Sequence, residues 1–179
     1  MPTLIKLTEQ GLVEVANTFL AVADEDAVPA EGGVIISLAC FQAEGAGLLD
    51  EGRPVGVRIE PAERVEDLAY DLPRLALVAL AFPKYRDGRA YSSAALLRER
   101  FGFVREVRAV GDVLRDQAFE MVRCGFDAFE PADGSTAEEW ARSAGRFRHV
   151  YQAAADERAP AFIERARAAN AAPFRDLRD

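Results

Sequence analysis

The run LALVALAF at residues 75–82 is a continuous apolar stretch that ends at Pro83. Its residues do not alternate between apolar and polar, as they would in a strand with one face in water. Central strands of parallel sheets are covered on both faces and lose this alternation. The run therefore predicts a buried strand at the centre of a parallel sheet.

Segments on both sides of this run continue the pattern of a short apolar strand followed by a turn and a helix. The other predicted strands of the core are 34–38, 55–59, 107–110, 126–129 and a sixth at 148–151. The predicted helices are 62–72, 91–101, 113–124 and 136–144, whereas residues after 38 are predicted to form a short connection containing Gly45 and Gly47. Strands that alternate with helices of this length indicate βαβ units. At the N-terminus, 4–7 and 12–15 are predicted to form a small hairpin at an edge of the sheet.

These segments predict a single α/β domain with a mostly parallel sheet. An open doubly wound sheet and an incomplete barrel both fit the pattern, and we favour the open sheet because a closed eight-stranded barrel usually needs about 200 residues or more. Within the domain, 1–30 would hold the hairpin and a helix or loop, 31–155 the α/β core, and 156–179 a C-terminal helix or tail.

Composition restricts the class of protein further. The chain has 179 residues, of which 50% are hydrophobic and 29% charged, as expected for one soluble domain. It has no apolar run of about 18 residues, and its start, MPTLIKLTEQ, lacks the pattern of a signal peptide, so we expect a cytoplasmic protein. Cys40 and Cys124 lie too far apart in sequence for a zinc or iron–sulfur motif. We expect no metal and no cofactor.

The charge is distributed unevenly along the chain. A net charge of −8 disfavours nucleic-acid binding, which needs a basic face. Residues 84–123 nevertheless hold nine basic and six acidic residues, a net +3, which leaves −11 for the rest of the chain. Two interpretations stay open, namely a local site for a small anion and helix faces of mixed charge in solvent.

The predicted site follows two strands of the sheet. FPKYRDGRAYS at 82–92 follows the central strand, and VGDVLRDQ at 110–117 follows the next one. Ligands of α/β sheets bind beyond the carboxyl ends of the strands. The anion-binding candidates are Lys84, Arg86, Arg89, Tyr91, Ser92 and Arg115, and the catalytic candidates are Asp87, Asp112 and Asp116.

A structural interpretation of the same residues also stays open. Asp87 and Gly88 are typical of a turn, and the arginines and aspartates can form ion pairs that hold the loop, such as Arg89 with Asp112 or Arg115 with Asp87. Ser92 or Ser93 and Asp112 are candidate helix N-caps.

The segment FPKYRDGRAYSSAALLRERFGFVREVRAVGDVLRDQAFEMVRCGFDAFE at 82–130 resembles a bacterial family called domain of unknown function 934. Members of this family are often labelled as probable oxidoreductases involved in sulfite reduction. The resemblance extends over roughly residues 55–151. It rests on long polar strings such as RAVGDVLRDQ, which strand or helix periodicity does not produce.

The resemblance implies an accessory or subunit-like protein of assimilatory sulfite reduction, with the sulfite reductase hemoprotein as its partner and a small oxyanion as a candidate ligand. The chain lacks a G-x-G-x-x-G fingerprint and the cysteines for an iron–sulfur cluster, so its residues do not themselves indicate electron transfer. Two alternatives stay open: a cofactor-independent enzyme acting on a small anionic substrate, and a structural assembly module. We expect no nucleic-acid or membrane partner, and homo-oligomerisation is left open.

Overall fold

The computed structural model describes residues 3–156 and 158–171, and within them an eight-stranded sheet forms the centre of the protein. Its strands are β1 (Leu4–Thr8), β2 (Gly11–Val15), β3 (Phe19–Ala21), β4 (Gly33–Ser37), β5 (Val55–Ile59), β6 (Leu77–Phe82), β7 (Glu106–Gly111) and β8 (Ala128–Phe129). The strand order is β2-β1-β8-β7-β6-β5-β4-β3. Strands β3 to β8 are parallel, whereas β1 is antiparallel to both β2 and β8. The predicted α/β class, the mostly parallel sheet and the N-terminal hairpin at its edge are confirmed.

Helices connect three pairs of neighbouring parallel strands, and these helices are α1 (Leu38–Asp50), α2 (Arg89–Ala95) and α3 (Ala118–Arg123). Two further helices follow β8, namely α4 (Ala137–Ala144) and α5 (Ala161–Ala171). A π-helical segment, Leu96–Arg100, continues α2, and a 3₁₀ turn, Arg115–Gln117, precedes α3. Of the predicted C-terminal helix or tail at 156–179, residues 157 and 172–179 lie outside the described part of the chain.

All six residues of β6 are buried, which confirms that this strand is covered on both faces. One face carries Val78, Leu80 and Phe82, which belong to the main core under the helices. The opposite face carries Leu77 and Ala79, which form a smaller core cluster on the other side of the sheet. Helices cover one side of the sheet because the parallel strands follow one another in chain order and their crossovers share one hand.

The sheet is open, as predicted, but strongly curled. Strands β2 and β3 lie at its two opposite edges, yet only residues 16–18 join them. This link spans at most about 14 Å, so the two edges approach each other. The strand order contains no reversal, so the sheet is wound in one direction, as in an incomplete barrel, and is not doubly wound.

Three predicted elements are wrong. The connection after β4 is the helix α1, in which a Cβ at Gly45 would overlap the ring of Phe41, so this glycine permits close packing and does not form a turn. The helix predicted at 62–72 is reduced to a 3₁₀ turn, Val65–Leu68, because the backbone on either side forms short turns, with Glu63 accepting from the N–H of Glu60 and Leu68 from that of Asp71. The strand predicted at 148–151 makes only an isolated bridge, since β1 already occupies the free side of β8.

Candidate functional site

The two polar loops meet as the sequence predicts, because β6 and β7 are neighbours in the sheet. The backbone N–H of Asp112 donates to the carbonyl of Phe82 at 2.7 Å. Gly111 precedes this contact with φ +99°, and a Cβ there would overlap the carbonyl oxygen of Phe82. Only glycine, which has no Cβ, lets the ends of β6 and β7 approach this closely.

The second loop holds Tyr85 through both of its backbone polar groups. The N–H of Tyr85 donates to Asp112 Oδ2 at 2.8 Å, and its carbonyl accepts from Gln117 Nε2 at 3.2 Å. Gln117 is buried, and its Oε1 accepts from the N–H of Leu114 at 3.0 Å, which fixes the amide. We call Lys84, Tyr85 and Arg86 the Tyr85 tip; all three are exposed, and the side chain of Tyr85 lies at the surface between two cations.

Asp112 is therefore not the helix N-cap that the sequence suggested. The 3₁₀ turn before α3 begins at Arg115, and the side chain that caps it is Gln117. The carboxylate of Asp112 instead accepts a hydrogen bond from the N–H of Tyr85 in the preceding loop. Tyr85 lies beyond the end of β6, so its N–H is not bonded to a neighbouring strand.

Asp87 pairs with Arg89 and not with Arg115. Its Oδ1 accepts from the N–H and Nε of Arg89 at 3.3 and 2.9 Å, and its Oδ2 accepts from Nη2 at 2.6 Å. These side-chain hydrogen bonds hold the pKa of Asp87 below its ordinary value. Because α2 begins at Arg89, Ser92 and Ser93 lie inside the helix, and neither caps it.

The remaining candidates occupy different surroundings. Arg115 forms an ion pair with Glu139 at 3.0 Å, so it supports the contact between its loop and α4. Asp116 is exposed. Lys84 and Arg86 form no ion pair with any residue in 3–156 or 158–171. The structure thus places two unpaired cations at the Tyr85 tip, while the other arginines of the candidate set are paired.

Tyr91 packs in the core beneath the loop. Its ring lies edge-on to Phe82 at 5.5 Å and to Phe126 at 6.2 Å. Burial raises the pKa of Tyr91 to about 12, so the residue is a neutral phenol with a packing role.

This raised pKa predicts a loss of stability at alkaline pH. The neutral phenol is favoured in the folded state, so its contribution is complete below the ordinary value of 10.0 and is lost as the pH rises through about 12. Between pH 10 and 12, the wild type should lose more free energy of unfolding than Tyr91→Phe, which cannot ionise. Urea denaturation of both proteins at stepwise pH measures the difference. Parallel losses in the two proteins would contradict the prediction.

Several basic residues of segment 84–123 are internal. Arg98 donates to the carbonyls of Phe103 and Arg105 and pairs with Asp127 at 2.8 Å. Arg123 is buried and donates to the carbonyl of Gln152. The net +3 of this segment is thus not one basic surface, because part of it holds backbone carbonyls and carboxylates inside the fold.

The inner face of the sheet holds charged residues that the sequence analysis did not select. Arg108 is only 1% exposed. It pairs with Glu106 through Nε at 2.7 Å and Nη2 at 2.6 Å, and its Nη1 lies 2.9 Å from Glu130 Oε1 and 3.0 Å from Asn17 Oδ1. Lys6 also pairs with Glu106 at 2.6 Å. We call these five residues the Arg108 network.

A cavity of about 260 Å³ lies on the same face, at the carboxyl ends of the strands. Small side chains of β6, Ala79 and Ala81, line it together with Arg58 and Glu130. The sequence contained one signal for these residues. Glu106, Arg108 and Val110 alternate with the apolar Val107 and Ala109, which places the two charges on one face of β7.

The other candidate chemistries have little support among the described residues. Burial raises the pKa of the Cys124 thiol, so this cysteine is not an activated nucleophile. Residues 3–156 and 158–171 contain no group of three His, Cys, Asp or Glu side chains placed to hold a metal ion. In the same part of the chain, no helix is long and apolar enough to cross a membrane.

Fold and site together define a single-domain α/β protein whose curled, singly wound sheet carries polar loops at the carboxyl ends of its strands. The chain belongs to the family described as bacterial protein of unknown function (DUF934), whose model matches residues 56–162. The match runs from β5 into α5 and includes the Tyr85 tip, Arg108 and Glu130. No curated protein matches the sequence.

Proposed function

We propose that this protein is a cytoplasmic accessory protein of assimilatory sulfite reduction and that it docks on the sulfite reductase hemoprotein through the Tyr85 tip. Two lines support the proposal. The family resemblance links the chain to sulfite reduction, and the Tyr85 tip is a rigid, exposed loop at the end of the central strands.

The docking role rests on one observation, which is that the neighbouring loop holds the backbone of Tyr85 in place. Its N–H and carbonyl are both held by side chains of the neighbouring loop, while its own side chain is 42% exposed. A fixed loop loses little conformational entropy on binding. Tyrosine and arginine are also enriched among the residues that dominate binding energy at interfaces.

The charges of the tip suggest the character of the partner surface. Lys84 and Arg86 are exposed and unpaired cations among the described residues of a chain with a net charge of −8. They would steer the tip toward an acidic patch. A small oxyanion such as sulfite would bind most readily at the same two cations, whereas Arg89 and Arg115 each hold a carboxylate of this protein. Asp87 and Asp112 position the loop, and we assign them no acid–base role.

Growth of a deletion strain tests the pathway. We expect the strain to fail on sulfate or sulfite as sole sulfur source and to recover with the wild-type gene. Recovery should be lost with Lys84→Glu/Arg86→Glu. The matched control is Arg105→Glu/Arg148→Glu, which makes the same charge change at exposed side chains that have no ion pair among the described residues. Normal growth of the deletion strain would refute a role in sulfite reduction, and full recovery with the tip variant would refute the docking site.

Direct binding to purified hemoprotein tests the tip itself. Tyr85→Ala should weaken the affinity by about tenfold, the effect of a residue worth roughly 1.4 kcal/mol at an interface. The double charge variant should weaken it further and reduce its dependence on salt. Calorimetric titration with sulfite distinguishes a docking site from an oxyanion site at the Tyr85 tip. If sulfite binds the wild type but not the tip variant, and the hemoprotein binds both equally, the tip is an oxyanion site and not a docking site.

A further inference from the structure

The cavity on the inner face of the sheet has a size and lining that suit a small ligand. Two positions of β6 that face it, Ala79 and Ala81, have short side chains, as does Ala21 of β3. Leu77, on the same face of β6 toward its amino end, is fully buried in the inner core cluster. The inner face is therefore filled at the amino ends of the strands and hollow at their carboxyl ends, where α/β proteins bind ligands.

Two side chains of opposite charge line this cavity. Glu130 follows β8, and its Oε1 accepts from Arg108 at 2.9 Å, while its Oε2 accepts no hydrogen bond from the described residues. Arg58 stands on β5 and pairs with Glu60. The side chains of this pair are 54% and 40% exposed, so water screens the pair and it contributes little. A guanidinium has five N–H donors, so Arg58 can serve a ligand as well.

The spacing and volume limit what fits. Arg58 and Glu130 are three strand positions apart, so their backbones are separated by roughly 14 Å along the sheet, and both residues line the same cavity. A cavity of about 260 Å³ lies just below the usual range of ligand pockets, about 300–1,000 Å³. The ligand would therefore be small, with an anionic end, a cationic end and a small apolar part.

A group with one charge fits less well. An anion alone would meet the carboxylate of Glu130, and a cation alone would meet the guanidinium of Arg58. A zwitterion satisfies both, and the apolar wall of Ala79, Ala81 and Val110 remains for its side chain. We propose that this cavity binds a small α-amino acid, with the ligand carboxylate on Arg58 and the ammonium group on Glu130. This inference does not depend on the docking role of the Tyr85 tip.

Isothermal titration of the full chain with glycine, L-alanine, L-serine and L-valine tests the proposal. We expect at least one of them to bind saturably, and acetate and methylamine, which each carry one of the two charges, to bind at least about tenfold more weakly. If none of the four amino acids binds, or if acetate or methylamine binds as tightly as they do, the proposal is wrong.

Two variants locate the binding. Ala81→Leu fills the cavity without changing charge, and Arg58→Gln removes the cation at a half-exposed position where folding should tolerate the change. Both should weaken amino-acid binding at least about tenfold. Ala153→Leu, at an exposed alanine away from the cavity, is the control and should bind as the wild type does. Unchanged binding by Arg58→Gln, with folding verified from the thermal midpoint, overturns the assignment even if Ala81→Leu fails to fold.

Discussion

Replacing Arg108 with methionine should lower the free energy of unfolding by about 3–5 kcal/mol, the usual effect of breaking a buried ion pair from one side. The side chain of Arg108 is only 1% exposed and contacts Glu106, Glu130 and Asn17. Methionine fills a similar volume but leaves two carboxylates on the inner face of the sheet without their shared cation. Urea denaturation of wild type and variant measures the loss.

Two further variants show whether charge or packing is responsible. Arg105→Met changes an exposed arginine three residues earlier, and its stability should stay within about 0.5 kcal/mol of the wild type. Glu106→Gln/Arg108→Met/Glu130→Gln removes the carboxylates together with the guanidinium and should recover part of the loss. If Arg108→Met is as stable as the wild type, the charges of the Arg108 network are solvated in solution and the prediction is wrong.

Gly111→Ala should lower the free energy of unfolding by about 2–5 kcal/mol. A side chain at positive φ costs about 1–2 kcal/mol, and the Cβ would also overlap the backbone carbonyl of Phe82, so the ends of β6 and β7 must separate. The same displacement would move Asp112 away from the N–H of Tyr85, so the backbone of the Tyr85 tip would be held less firmly.

Gly134→Ala is the matched control, because Gly134 also has positive φ, +67°, but its Cβ would meet open space. It should show the conformational cost alone. The difference between the two variants in denaturation midpoint and unfolding free energy isolates the approach to Phe82. Equal losses would contradict the assigned role of Gly111.

The fold could be predicted wherever one local pattern determined an element. Residues 75–82 are apolar at every position, and this pattern predicted a central strand of a parallel sheet. Helix α1 was missed because glycine usually interrupts helices, and only the folded structure shows that Gly45 makes room for Phe41. The strand order was also beyond the sequence, since the patterns identify strands but do not state which ones are neighbours.

The site could be predicted in part for the same reason. The meeting of the two loops followed from the topology of parallel strands and is confirmed, whereas their role as a functional site stays a prediction. The partners of the charged groups could not be predicted, because Asp112 reaches a backbone N–H and Arg115 reaches a glutamate in another helix. Arg108 was counted with the surface charge, because alternation with Val107 and Ala109 is typical of a strand face in water and does not predict that this side chain is buried.

The three-residue link at 16–18 has a consequence for the order of folding. Each of the pairs from β4 to β7 joins strands that are consecutive along the chain. Approach of the two sheet edges instead brings Asn17 to Arg108, 91 residues away in sequence. Distant contacts form slowly, since a long loop must close first. We therefore expect the N-terminal hairpin to dock last, which leaves β8 as an open edge, available to a second chain, until the hairpin covers it.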